Sequence, residues 1–90
     1  MMCHIIVSGF VQGIGFRQFV KKAALSLSLT GWVKNIVDGR RVEALFCGSK
    51  ESIKEVIEVC RKGPFLANVK DIQVEWEDKD IDFKNFEIIV

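Results

Sequence analysis

Apolar residues along this chain change their period from one segment to the next, and the changes mark out its elements. Cys3 to Ser8 carries the run Ile5-Ile6-Val7, with too little alternation for an exposed edge, and predicts a central β-strand. From Phe16, the apolar residues Phe19, Val20, Ala23, Ala24 and Leu27 recur at three and four. They predict an amphipathic helix of about three turns ending near Ser28. Thr30 to Asn35 reads as a second strand and Asp38-Gly39 as a hairpin turn. Arg41 to Cys47 alternates, with Val42, Ala44 and Phe46 on one face, and gives a third strand. Lys50 to Lys62 stripes Ile53, Val56, Ile57 and Cys60 along one helical face. Ser49 is its expected N-cap, Arg61 and Lys62 suit the negative end of its dipole, and Gly63-Pro64 stops it. After a connection through Phe65 to Asn68, Ile72, Val74 and Trp76 alternate with Gln73, Glu75 and Glu77 in a fourth strand with one wet face. An acidic turn, Glu77 to Asp82, leads to a short final strand through Phe86, Ile88 and Val90.

The order β-α-β-β-α-β plus a short strand predicts an α+β, ferredoxin-like sandwich: an antiparallel sheet of core order 4-1-3-2 with both helices on one face. The first and second strands then run parallel with one strand between them. Their C-terminal ends share an edge of the sheet about 10 Å apart, twice the interstrand spacing. The loop after the first strand faces Asn35.

The 90 residues suffice for one small domain, 1–90, and the absence of Pro/Gly/Ser-rich linkers or repeats agrees with that. With 13 Lys and Arg against 12 Asp and Glu, the net charge of +1 provides no global field for nucleic acid or acidic membrane, so any anion recognition must be local. Met1-Met2-Cys3-His4 has no leader character and no apolar run approaches a membrane span, so a cytoplasmic location is expected. Cys3, Cys47 and Cys60 are odd in number and set among apolar neighbours. They are expected to be buried free thiols rather than disulfides or metal ligands.

The candidate chemistry lies in Ser8-Gly-Phe-Val-Gln-Gly-Ile-Gly-Phe-Arg17, between strand and helix. Gly9, Gly13 and Gly15 allow the chain to fold until backbone N–H groups converge at a helix N-terminus, where an anion is favoured. A purely structural turn satisfies the same spacing. A Rossmann loop would need a third Gly at Gln18, and the Gly-Lys-Ser/Thr of a Walker loop is missing. Arg17 falls in the first helical turn, and its planar fork suits two oxygens of a phosphate.

Gly9-Phe-Val-Gln-Gly-Ile-Gly-Phe-Arg17 closely resembles the first signature of the acylphosphatases, and Gly31-Trp-Val-Lys-Asn35 resembles their second. Lys62-Gly63-Pro64 with Ala67-x-Val69, and the closing Phe86-Glu-Ile, extend the resemblance across nearly the whole chain. It implies the ferredoxin-like fold and metal-free hydrolysis of acyl phosphates to carboxylate and inorganic phosphate. By position it maps the phosphate-binding arginine onto Arg17 and the water-orienting asparagine onto Asn35. Three departures stand out: an extra residue in Gly39-Arg40-Arg41-Val42-Glu43, expected to be absorbed in the hairpin, Phe10 at a variable and often polar position, and Cys47 where an acidic or amide residue is frequent.

Neither signature holds an activated nucleophile pair, and His4 stands at the start of the first strand as a structural or surface residue. Such a site requires a leaving group that needs no proton, and a carboxylate, of pKa near ~4, is one. The expected mechanism is in-line attack by water. The phosphate oxygens would be held by the amides of Val11, Gln12, Gly13, Ile14, Gly15 and Phe16 and by Arg17, with Asn35 accepting a hydrogen bond from the water. No cofactor is called for, and a monomer is expected. Three other classes share parts of this pattern. An RNA-recognition module needs exposed aromatics on the first and third strands, but Phe46 is the one candidate and lies in phase with Val42 and Ala44. A soft-metal carrier needs loop cysteines, which are missing. A regulatory or carbamoyl-phosphate-handling domain, as in hydrogenase-maturation proteins, would continue into further domains.

Overall fold

The computed structural model of the chain describes residues 1–89. In order, it contains β1 (Met2–Phe10), α1 (Phe16–Ser26), β2 (Thr30–Asn35), β3 (Arg41–Cys47), α2 (Lys50–Lys62), β4 (Asn68–Glu77) and β5 (Phe86–Ile88). The sheet order is β4-β1-β3-β2-β5, antiparallel except that β5 runs parallel to β2. The predicted 4-1-3-2 core is therefore present, extended by the last strand. Val90, included in that strand from sequence, lies outside the described residues.

Alternation along the strands decides which face meets the helices. Cys3, Ile5 and Val7 of β1, Val33 of β2, and Val42, Ala44 and Phe46 of β3 are buried against Phe16, Val20 and Ala24 of α1 and Ile53, Val56, Ile57 and Cys60 of α2. Phe86 closes this core from β5, its ring stacked on Phe46 at 5.5 Å between centroids. Burying a side chain of this size contributes about 1.5–3 kcal/mol. The opposite face has a smaller cluster, Met2, Leu45 and Cys47, covered by Trp32 and Phe83. The acidic turn folds back there, and the Met1 ammonium pairs with Asp80.

Several boundaries differ from the sequence reading. β1 continues through Gly9 to Phe10, across a register shift between Ser8 and Gly9, so Gly9 belongs to the strand and not to the loop. β4 starts at Asn68, because its first residues pair with Gly9 and Phe10. Val74 and Trp76, on its core-facing side, remain more than a third exposed since β4 is an edge strand. Ser49 caps α2 as expected, accepting from the Ser52 N–H at 3.1 Å. Within the β2–β3 hairpin, the Asp38 carboxylate accepts from the Arg40 N–H and from Arg41 Nε.

All three cysteines are buried free thiols. Burial pushes the Cys3 thiol up to about 11 and that of Cys60 to about 12, and it also raises Cys47. None is poised as a thiolate nucleophile.

α1 ends in a Schellman arrangement: the Ser28 N–H donates to Leu25 O and the Leu29 N–H to Ala24 O, at 3.1 and 2.9 Å. Ser28 adopts the required left-handed conformation, φ 59°, without being glycine. Ser28→Gly should therefore raise stability by about 0.5–1 kcal/mol in urea unfolding. A loss of stability would show that the serine hydroxyl, rather than backbone strain, governs this position.

Candidate active site

Two buried apolar side chains pin the loop between β1 and α1. Val11 at its start and Phe16 at its end are each 1% exposed, and Ile14 packs onto the core between them. The glycines turn the chain between these anchors. Gly13 and Gly15 have φ of 75° and 79°, a region that costs an L-residue about 1–2 kcal/mol. Open space surrounds the Cβ position of each, so backbone conformation and not crowding demands glycine.

Gly15 is also the N-cap of α1, and no side chain caps the helix. The first intrahelical bond of α1 is that from the Phe19 N–H to Gly15 O, at 3.0 Å, which leaves the N–H groups of Phe16, Arg17 and Gln18 without helical acceptors. The first turn has no acidic residue either. The positive end of the helix dipole is thus uncompensated where the loop closes.

A cavity of about 330 Å³ lies at this point, lined by Val11, Gly13, Gly15, Phe16, Arg17, Gln18, Asn35 and Ile88. Arg17 is half-buried in its wall and has no carboxylate partner among the described residues. Asn35, the last residue of β2, brings a buried Oδ1 that has no hydrogen-bond donor among the described residues. Such an acceptor costs about 1–3 kcal/mol unless a ligand or water supplies the bond.

Of the residues expected from sequence, Val11, Gly13, Gly15, Phe16, Arg17 and Asn35 come together around the cavity. Gln12 and Ile14 do not line it. Ile14 faces the core, and Gln12 Nε2 donates to Ile36 O and Arg41 O, both at 2.8 Å. Gln12 therefore ties the loop to the β2–β3 hairpin, next to Asn35. Sequence reasoning missed Gln18, although its place beside Arg17 in the first turn was a usable signal. It also missed Ile88, which reaches the cavity only because β5 pairs with β2. His4 is remote: its Nε2 shares a hydrogen bond with Glu43 Oε2, and its ring packs edge-on to Trp32.

The fold and site define a ferredoxin-like α+β protein whose glycine-turned loop, between its first strand and first helix, brings free N–H groups and Arg17 to one cavity. Residues 3–88 match the acylphosphatase family, and the chain belongs to that family, hydrolases acting on acyl phosphates. It is 42% identical to an acylphosphatase of Pyrobaculum aerophilum over 96% of this chain and 90% of that one. The crystal structure of acylphosphatase from Bacillus subtilis superposes with a TM-score of 0.95 at 38% identity, covering 99% of this chain and 98% of the other. The HypF protein of T. kodakarensis also resembles it, with a TM-score of 0.84 and 33% identity; 99% of this chain matches 12% of that one.

Gln12→Ala should remove two hydrogen bonds, although Ile36 O keeps the Gly39 N–H and Arg41 O keeps the Ile36 N–H. We expect a loss of about 1–3 kcal/mol in urea unfolding and a kcat/KM lowered by roughly tenfold. Unchanged kinetics would show that the loop holds its shape without the hairpin.

Proposed function

We propose that this acylphosphatase cleaves the carboxyl–phosphate bond by direct in-line attack of water, with Arg17 and the loop amides holding the phosphate and Asn35 aiming the water. One observation carries this reading. A permanently charged fork, the uncapped N–H groups of α1 and an unbonded buried amide oxygen face the same small cavity.

Phosphoryl transfer is chiefly positioning plus stabilisation of the equatorial oxygens, which this set of donors supplies. Oδ1 of Asn35 takes a hydrogen bond from the water and fixes its approach. As the new P–O bond forms, the bond to the acyl oxygen breaks and its electron pair leaves on the carboxylate. The water's surplus proton ends on the phosphate product or in solvent. No general acid is needed, because a carboxylate is a stable leaving group at neutral pH. The loop amides of residues 11–16 include those of Gln12 and Ile14, whose side chains are engaged elsewhere. Three unpaired buried thiols support a reducing, cytoplasmic setting.

A second reading is the carbamoyl-phosphate-handling domain raised by the sequence resemblance, and the match of this chain to 12% of HypF favours a place for such a domain within a larger protein. Comparing benzoyl, acetyl and carbamoyl phosphate in a phosphate-release assay separates the two by the ratio of their kcat/KM values.

Each charged hydrogen bond to phosphate is worth about 1.5–3 kcal/mol. Arg17→Ala should therefore lower kcat/KM by roughly two to four orders of magnitude and weaken inhibition by inorganic phosphate in parallel. Near-normal turnover by Arg17→Lys would count against a role for the forked geometry. Asn35→Ala should lose roughly two orders of magnitude in kcat while its inhibition by phosphate changes by less than about threefold. If phosphate affinity fell in step with rate, Asn35 would be serving the ligand and not the water.

A further inference from the structure

A second cavity, of about 620 Å³, opens where the ends of β1, β3 and β4 meet, and it shares no lining residue with the first. Its walls are Phe10, Arg40, Arg41 and Lys70, together with Asp38 and the Ser8–Gly9 segment. The register shift in β1 builds it. Ser8 pairs with Asp71 and Gly9 with Val69, so Lys70 is the extra residue of a bulge, a device that re-aims a side chain away from the ladder. Phe10, just before the catalytic loop, is 60% exposed.

Its charges are unbalanced. The one carboxylate, Asp38, is already used by the Arg40 N–H and by Arg41, and both hold it below its ordinary pKa. The Arg40 guanidinium and the Lys70 ammonium have no carboxylate partner among the described residues. An exposed phenyl ring and two cations without carboxylate partners among the described residues line one space, of a volume usual for small-molecule sites, and together call for a ligand with a flat ring and an anionic tail.

We propose that this cavity binds a nucleoside phosphate, with the base against Phe10 and the phosphates on Arg40 and Lys70. A bare anion would leave Phe10 and most of the volume unused. A nucleic-acid strand would need successive stacking platforms along a basic track, whereas this site offers one aromatic on a chain of net charge +1.

The test is calorimetric titration of the protein with ADP in saturating inorganic phosphate, which occupies the catalytic cavity. Saturable one-to-one binding with a sub-millimolar dissociation constant is expected, and Arg17→Ala should leave it unchanged. Lys70→Glu and Arg40→Glu should each weaken ADP by about tenfold or more, and Phe10→Ala by about fivefold or more. Acyl phosphate hydrolysis by the two charge variants should stay within about twofold, which shows that they are folded. Adenosine and pyrophosphate should each bind about tenfold more weakly than ADP. The proposal is overturned if ADP fails to saturate, if the charge variants bind it normally, if pyrophosphate matches it, or if a single-stranded oligonucleotide binds more tightly than ADP. Because the readout is binding with the catalytic cavity filled, its failure leaves the reading of Arg17 and Asn35 untouched.

Discussion

The positive end of α1 has nothing within the described residues to neutralise it. Natural helices usually meet this end with a Ser, Thr, Asp or Asn cap, as Ser49 does for α2. α1 begins instead at Gly15, with no capping side chain and no acid in its first turn. Three N–H donors and the Arg17 guanidinium consequently share one small cavity. An anion would restore balance there, and the rest of the fold holds the donors convergent.

That restraint comes from three directions. Val11 and Phe16 fasten the loop ends into the core, so its width is set by packing rather than by the loop itself. Gly13 and Gly15 take the left-handed turns that no other residue adopts without strain. Gln12 binds the loop across to the carbonyls of the β2–β3 hairpin, which also carries Asn35 near its base. The Arg17 fork and the Asn35 amide thus belong to one cross-linked unit, although they lie 18 positions apart in the chain. Close registration between a bound group and its attacking partner is worth more to phosphoryl transfer than an added acid or base when the leaving group is a carboxylate.

Elements with a strong internal period are legible in the sequence. β2, β3 and α2 have the boundaries that their alternation and caps indicate, and Phe46 is in the core, stacked on Phe86, as its phase with Val42 and Ala44 requires. The ends of β1 and β4 were not legible. They exist because the two strands extend each other across a bulge, and a pairing between distant segments leaves no local mark. Gln12 shows the same divide at the site. Its position in the loop was evident, whereas its two hairpin acceptors depend on how the β2–β3 turn approaches.

The sequence by itself determined the order of strands and helices, the glycine-shaped loop, and the identity of the charged fork and the amide. Each of these rests on local backbone preference or on the periodicity of one segment. Only the tertiary structure decided that β5 runs beside β2 and adds Ile88 to the cavity, that the Asn35 oxygen is buried without a donor among the described residues, and that Lys70 falls at a bulge and lines one space with Phe10 and Arg40. Those outcomes depend on long-range pairing and on which polar atoms lose their water, quantities that exist only once the chain has closed on itself.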